Sequence, residues 1–260
     1  SLHDALPIFA ICLLIFNFQF STNWRFSFSI FHFQFSTKLL LLISTSFPTA
    51  TVALSRGGKI LFMEENPLPN AHASWLHPAI KRILESAGIP MKELQAVAVS
   101  AGPGSYTGLR VGMAAAKGIC YALRIPLIAI NTLEIMAEAM VPQAIEKNAL
   151  ICPMIDARRQ EVFTAVYTTG MKEVRVPQAL ILDKTSFDEL LGDKRVLFSG
   201  SGSEKWKTLT EAKNAIFATQ INVNESFASM SEHYFTEKIW TELINSEPIY
   251  LKEFYTHAKN

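Results

Sequence analysis

A chain of 260 residues, 49% of them hydrophobic and 18% charged, is long enough to bury one or two substantial cores and has the profile of an ordinary soluble protein. With 24 Lys and Arg against 23 Asp and Glu the formal charge is +1, and no Lys/Arg run exceeds two residues, which excludes the strongly basic chains that bind nucleic acid through charge alone. Cys12, Cys120 and Cys152 are odd in number, far apart and without CxxC spacing; they exclude a disulfide framework or a structural zinc site and suit a reducing cytoplasm.

Residues 1–38 are expected to be a spurious or disordered leader. Nine of the eighteen phenylalanines precede Lys38, and Asp4 is the one acidic residue there. The stretch also repeats itself, Phe18-Gln19-Phe20-Ser21-Thr22 returning as Phe33-Gln34-Phe35-Ser36-Thr37. A signal peptide needs a basic start, whereas the chain opens Ser-Leu-His-Asp. A membrane span needs about 18 apolar residues, and the longest run, Ala5 to Phe16, is shorter and contains Pro7. A translated leader or misplaced start, joined to a protein beginning near Leu39, fits best; such aromatics, if exposed, are an aggregation hazard.

From Leu39 the organisation becomes regular. Leu39 to Ser44 has strand length, Thr49 to Ser55 alternates, Arg56-Gly57-Gly58 supplies turn chemistry and Lys59 to Met63 returns as a third strand. Leu76, Ala79, Ile80, Ile83, Leu84 and Ala87 recur with helical spacing, closed by Gly88 and Pro90. A strand at Ala96 to Ser100, a helix at about Leu109 to Leu123, a strand at Pro126 to Ile130 and a helix at Thr132 to Ala139 follow. The order βββαβαβα is that of the ribonuclease H-like unit on which the sugar-kinase, actin and Hsp70 superfamily is built. After a polar linker at Pro142 to Ala149, a second unit is expected from strands at Ile151 to Ile155, Glu161 to Thr168, Gln178 to Leu182 and Arg195 to Phe198. A final helix at Ser226 to Trp240 would use Phe227, Met230, Tyr234 and Ile239 as core contacts. The fold class is thus α/β with two ribonuclease H-like subdomains, residues 39–145 and 146–260.

Between the strand at Ala96 and the following helix lies Gly102-Pro103-Gly104-Ser105-Tyr106-Thr107-Gly108-Leu109-Arg110. Glycines let backbone N–H groups approach a ligand and the helix N-terminus favours anions, so Gly102, Gly104, Ser105, Thr107, Gly108 and Arg110 are candidates for a nucleotide or anion loop. The alternative is a tight strand-to-helix turn, since the spacing is neither G-x-G-x-x-G nor a Walker loop.

This run, with Val111-Gly112-Met113-Ala114-Ala115-Ala116-Lys117-Gly118 after it, resembles the signature shared by the TsaB (YeaZ) family and its larger TsaD paralogues. Ile155-Asp156-Ala157-Arg158-Arg159-Gln160-Glu161-Val162-Phe163 and Glu247-Pro248-Ile249-Tyr250-Leu251-Lys252 are similar to two further TsaB segments, in the same order. In TsaD-type relatives the strand after the glycine-loop helix leads into Asn-His-Leu-Glu-Gly-His, whose histidines hold a metal. Here the segment reads Asn131-Thr132-Leu133-Glu134-Ile135-Met136, so both ligands are replaced, and a hydroxyl and a thioether do not substitute for two imidazoles. Of the acidic residues that superfamily members use to hold metal, Asp156 is kept, where it could instead fix the turn before Arg158 and Arg159. Ser44 stands in place of the other. His72 and His77 are five apart, His72 being read as closing a loop or capping a helix; His32, His233 and His257 lack neighbouring ligands. No Gly-x-Ser-x-Gly elbow occurs.

The resemblance therefore implies no catalytic residue, no metal and no cofactor of its own, with ATP or ADP entering at the level of a complex. It implies a cytoplasmic, non-membrane subunit that positions a TsaD-type transferase for threonylcarbamoylation of adenosine 37 in tRNA. A TsaE-type ATPase is the further partner, tRNA is reached only through the complex, and the chain forms a homodimer without its partner. Trp75, Leu76, Leu109, Gly112, Met113, Ala116 and Cys120 are expected at the partner interface, on two neighbouring helices. The alternative is an autonomous nucleotide-binding enzyme, a kinase or threonylcarbamoyltransferase.

Overall fold

The computed structural model describes residues 38–66, 68, 71–218 and 220–252, and the expected leader, apart from its last residue Lys38, lies outside them. The first half runs β1 (Leu39–Ser44), β2 (Ala50–Arg56), β3 (Lys59–Asn66), α1 (His72–Ala87), β4 (Ala96–Gly102), α2 (Tyr106–Leu123), β5 (Leu127–Asn131) and α3 (Thr132–Lys147). The second runs β6 (Ala149–Asp156), β7 (Glu161–Tyr167), β8 (Glu173–Ile181), α4 (Asp188–Leu191), β9 (Arg195–Ser199), α5 (Ser203–Lys207), β10 (Ala215–Phe217) and α6 (Val223–Thr236).

The two halves repeat one topology. The first sheet has the order β3-β2-β1-β4-β5, antiparallel in its meander and parallel from β1 through β4 to β5. The second has the order β8-β7-β6-β9-β10 with the same directions. These are two ribonuclease H-like units, and the second includes a strand, β10, and two short helices that periodicity does not reveal.

Burial on both faces explains the apolar run of β1, which sits at the centre of its sheet. Leu39, Leu41 and Ile43 pack with Val97 and Val99 of β4 under α1 and α2, while Leu40 and Leu42 meet Ile135 of α3 and Phe227 and Ala228 of α6. The opposite face of α3, with Leu133, Met136, Ala137 and Met140, packs on Ile151, Ala165, Tyr167 and Leu197 of the second sheet. The outer face of that sheet is closed by Phe187, Leu191 and Trp206, where the Phe187 and Trp206 rings meet edge-on at 5.0 Å. Helices and sheets therefore alternate in five layers, with α3 shared between the sheets.

Three sequence expectations change here. The polar linker at Pro142 to Ala149 is the second half of α3, which passes through Pro142 and ends at Asn148 in the left-handed conformation (φ 50°). Met140 and Ala144, on either side of the proline, are fully buried, and that packing offsets the single backbone hydrogen bond a proline removes. Helix α2 begins at Tyr106 rather than Leu109, because Ser105 caps it. Helix α6 begins at Val223, capped by Asn222, and ends at Thr236; Ile239, expected in the core, is 49% exposed after the left-handed turn at Lys238.

Beyond α6 the chain becomes a strap. Thr241 bonds the β5 edge through Leu127 and Ala129, and Lys117 of α2 donates to the carbonyls of Ile244 and Ser246, both at 2.9 Å. Ile249 donates its N–H to Ala101 at 2.7 Å, Leu251 packs on the core of the second half, and Lys252 pairs with Glu161. Since α3 and this strap serve both sheets, urea unfolding of the chain is expected to show one transition by near- and far-ultraviolet circular dichroism. Leu41→Ala or Ile151→Ala, on the two central strands, should each lower its stability by about 2–5 kcal/mol. Two separated transitions would show that the halves fold independently.

Candidate functional site

The glycine-rich connection from β4 to α2 is packed against the chain itself. Gly102 adopts φ +116°, and a Cβ there would lie 2.5 Å from the carbonyl oxygen of Ile249 on the strap. A Cβ at Gly104 would strike the backbone of Ser46, and one at Gly108 the carbonyl of Thr45. The close approach that glycine permits is thus taken up by the β1–β2 connection and by residue 249. Hydrogen bonds fix the same contact. Ser105 donates its N–H to Ser46 at 2.8 Å, Thr45 donates its hydroxyl to the carbonyl of Gly108 at 2.8 Å, and the Ser105 hydroxyl accepts from the Gly108 N–H at 3.3 Å. Thr107 and Arg110 are exposed; Arg110 donates to the Tyr106 hydroxyl at 2.9 Å with its guanidinium over that ring.

The positions that hold metal ligands in TsaD-type relatives carry internal packing and capping here. Thr132 is fully buried and its hydroxyl accepts from the Gly102 N–H at 3.1 Å, so it supports the end of β4, a role the spacing of residues did not disclose. Met136 is 1% exposed and its methyl lies so close over Gly200 that a Cβ at that glycine would clash with it. Ser44 accepts a buried hydrogen bond from Ser100 at 3.2 Å. Glu134, which keeps the register, accepts from the Tyr234 hydroxyl at 3.4 Å across the middle layer, and burial pushes its carboxyl above the usual range. His72 is buried at the start of α1 and makes no cap; its Nδ1 has no hydrogen-bond partner, and His77 is exposed. Among the described residues no group of three His, Cys, Asp or Glu could hold a metal ion. Cys120 and Cys152 are buried thiols pushed up to about 12 by desolvation, which disqualifies them as nucleophiles at neutral pH. His32, His257 and Cys12 lie outside the described residues.

Asp156 fixes a turn. Its Oδ1 accepts from the Arg158 N–H and from Lys205, both at 2.6 Å, while its own N–H donates to Ser201 at 3.0 Å. Partial burial alone would raise its carboxyl, but the Lys205 hydrogen bond, the Arg158 N–H and the nearby cations outweigh that and hold it below the usual aspartate range. The turn so held places Arg158 and Arg159 consecutively in the left-handed region, at φ 69° and 51°. Such a conformation costs a residue with a Cβ about 1–2 kcal/mol.

The expected interface stripe turns inward. Leu76, Leu109, Gly112, Met113, Ala116 and Cys120 are all buried, and all but Gly112 are at most 3% exposed. Leu76, Met113, Ala116 and Cys120 belong to the core over β1 and β4, with Trp75 half-buried against it, and Gly112 lies over Thr45. The spacing correctly marks one apolar face of α2, but the sheet claims that face. The outward face carries Arg110, Ala114, Gly118 and Tyr121 on α2, beside His77 and Lys81 on α1. Tyr121 is 80% exposed, and a Cβ added at Gly118 would meet nothing within 4 Å. A groove of about 490 Å³ lined by Tyr121, Ala122, Arg124, Ile125 and Leu243 adjoins its C-terminal end.

Comparison with known proteins gives the family and the fold. The family described as TsaD, tRNA N6-adenosine threonylcarbamoyltransferase, matches residues 68–244. The Bacillus subtilis tRNA threonylcarbamoyladenosine biosynthesis protein TsaB is 31% identical over 175 residues, 66% of this chain and 75% of the relative. The Escherichia coli protein of the same name is 26% identical over 223 residues, 82% of this chain and 94% of its own. The solved structure of YeaZ from Pseudomonas aeruginosa has the same fold, with a TM-score of 0.64 at 23% identity over 82% of this chain and all of that one. No helix among the described residues is long and apolar enough to cross a membrane.

Two variants test the assignments. Met113→Glu would bury an unpaired carboxylate in the core and should cost at least about 3 kcal/mol in urea unfolding, which an exposed position would not. Asp156→Asn should destabilise the chain at neutral pH. Because the native carboxyl is depressed, its contribution is present above the ordinary aspartate range and is lost as the pH falls through that range and below it. The stability gap between wild type and Asp156→Asn should therefore close in acid; a gap independent of pH would remove the Asp156–Lys205 pair from the account.

Proposed function

The chain belongs to the TsaB (YeaZ) family of tRNA threonylcarbamoyladenosine biosynthesis proteins, and from that premise we propose that it is a non-catalytic subunit that binds and positions a TsaD-type transferase. In this reading the assembly carries threonylcarbamoyl to N6 of adenosine 37 of tRNA, in the cytoplasm, with a TsaE-type ATPase. ATP or ADP enters only with the complex, and the chain pairs with itself when its partner is absent.

The observation that carries the reading is the fate of Thr132 and Met136. One supports the Gly102 N–H and the other fills the space over Gly200, so neither position is available for a ligand. The glycine loop, filled by Thr45, Ser46 and Ile249, acts as a rigid hinge that aims α2. The docking face is the outward side of α1 and α2. Small residues at 114 and 118 let a partner helix come close, and Tyr121 supplies an aromatic anchor beside the groove at Leu243.

Light scattering of the chain mixed with a TsaD-type transferase tests the face. Ala114→Glu and Gly118→Trp should weaken association at least about tenfold while leaving the melting temperature of the chain within a few degrees. Association unchanged in both variants would place the partner elsewhere. Transferase activity should need both proteins; turnover by this chain alone would replace the subunit reading by an autonomous enzyme.

A further inference from the structure

Basic side chains that are far apart in the sequence meet on one rim. Tyr250, Leu251 and Lys252 span at most about 7 Å between the first and third Cα. At one end the Tyr250 ring lies 5.4 Å from that of Tyr106, over which the Arg110 guanidinium sits at 5.4 Å. At the other end Lys252 pairs with Glu161, whose N–H donates to the carbonyl of Arg158 at 3.1 Å. The exposed Arg158 and Arg159 therefore stand on the same edge as Arg110, joined by three residues of the strap.

The carboxylates nearby are largely committed. Asp156 holds the turn and Lys205, Glu161 holds Lys252, and Glu247 lies near Tyr250. Five cations, Arg110, Arg158, Arg159, Lys205 and Lys252, lie along this rim, and among the described residues Lys205 and Lys252 are the ones with a carboxylate salt bridge. Arg158 and Arg159 also occupy left-handed backbone, where glycine or asparagine would be at ease. Two long exposed cations held against a backbone preference, beside one aspartate that also pairs with Lys205, indicate a ligand for that charge.

We propose that this rim binds the phosphodiester backbone of an RNA, with Arg158 and Arg159 on successive phosphates. The proposal rests on the reading that the chain works in a tRNA-modifying complex. It assigns the chain a direct part in holding the substrate, alongside the partner's own contacts.

Fluorescence anisotropy with an unmodified tRNA transcript, titrated across potassium chloride concentrations, tests it on the complex with the transferase and on the chain alone. Arg158→Asn with Arg159→Gly relieves the backbone, so the variant should melt at the same or a higher temperature and keep its association with the transferase. Its Kd for tRNA should nevertheless rise about tenfold, with a log–log salt slope shallower by about 1–2, the share of two phosphates. Arg158→Lys with Arg159→Lys should keep the slope. Affinity and slope unchanged in the Asn/Gly variant would overturn the proposal. So would loss of transferase association in that variant, which would assign the arginines to a protein contact. If the wild-type chain fails to bind the transferase, the subunit reading falls, and the low-salt titration of the chain alone still decides whether the rim holds RNA.

Discussion

The first half is built around a contact that has no room for a side chain. At positions 104 and 108 the chain passes so close to Thr45 and Ser46 that a Cβ would overlap their backbone. That approach lets two hydrogen bonds tie the β1–β2 connection to the start of α2, which Ser105 caps, and it sets the angle at which α2 leaves the sheet. Everything outward of the sheet follows from that angle. Leu109, Met113, Ala116 and Cys120 fall onto β1 and β4, while Ala114, Gly118 and Tyr121 are left facing out. A loop that resembles a phosphate cradle in its composition has thus used its glycines to accept its own backbone.

The same economy governs the positions at the start of α3. A hydroxyl in place of an imidazole at 132 can accept the N–H of Gly102, and a flexible thioether at 136 can fill an irregular space over Gly200. Both substitutions turn polar ligand positions into core. They also help join the two ribonuclease H-like units, since α3 packs on both sheets and Glu134 reaches Tyr234 of α6 within that shared layer.

The C-terminal strap gives the molecule its third constraint. It satisfies the edge of β5, bonds Lys117, lies against Gly102 and ends on Glu161 of the other half. One extended segment therefore determines which surface residues of the two halves are neighbours. The charge of the chain is nearly balanced overall, yet the strap and the Asp156 turn bring its cations together on one edge. An even charge total is a weak guide to local potential, because the field at a rim depends on which acids are already paired.

By itself the sequence determined the strands other than β10, the first helices and the repeated order, because alternation and 3.6-residue spacing are local consequences of burying one face. It also placed a hydroxyl and a thioether at residues 132 and 136, where the resemblance would have two imidazoles. The passage of α3 through Pro142 was not legible, because the cost of a proline is set against packing by Met140 and Ala144 that only the second sheet provides. Nor was the outward face of α2. That helix carries small or apolar residues on nearly every side, so periodicity cannot say which side a sheet will cover. Only the tertiary structure decided this, through non-local contacts: the β1–β2 connection set against Gly104 and Gly108 orients the helix, and the strap that crosses it links the start of that helix to Glu161 of the second half.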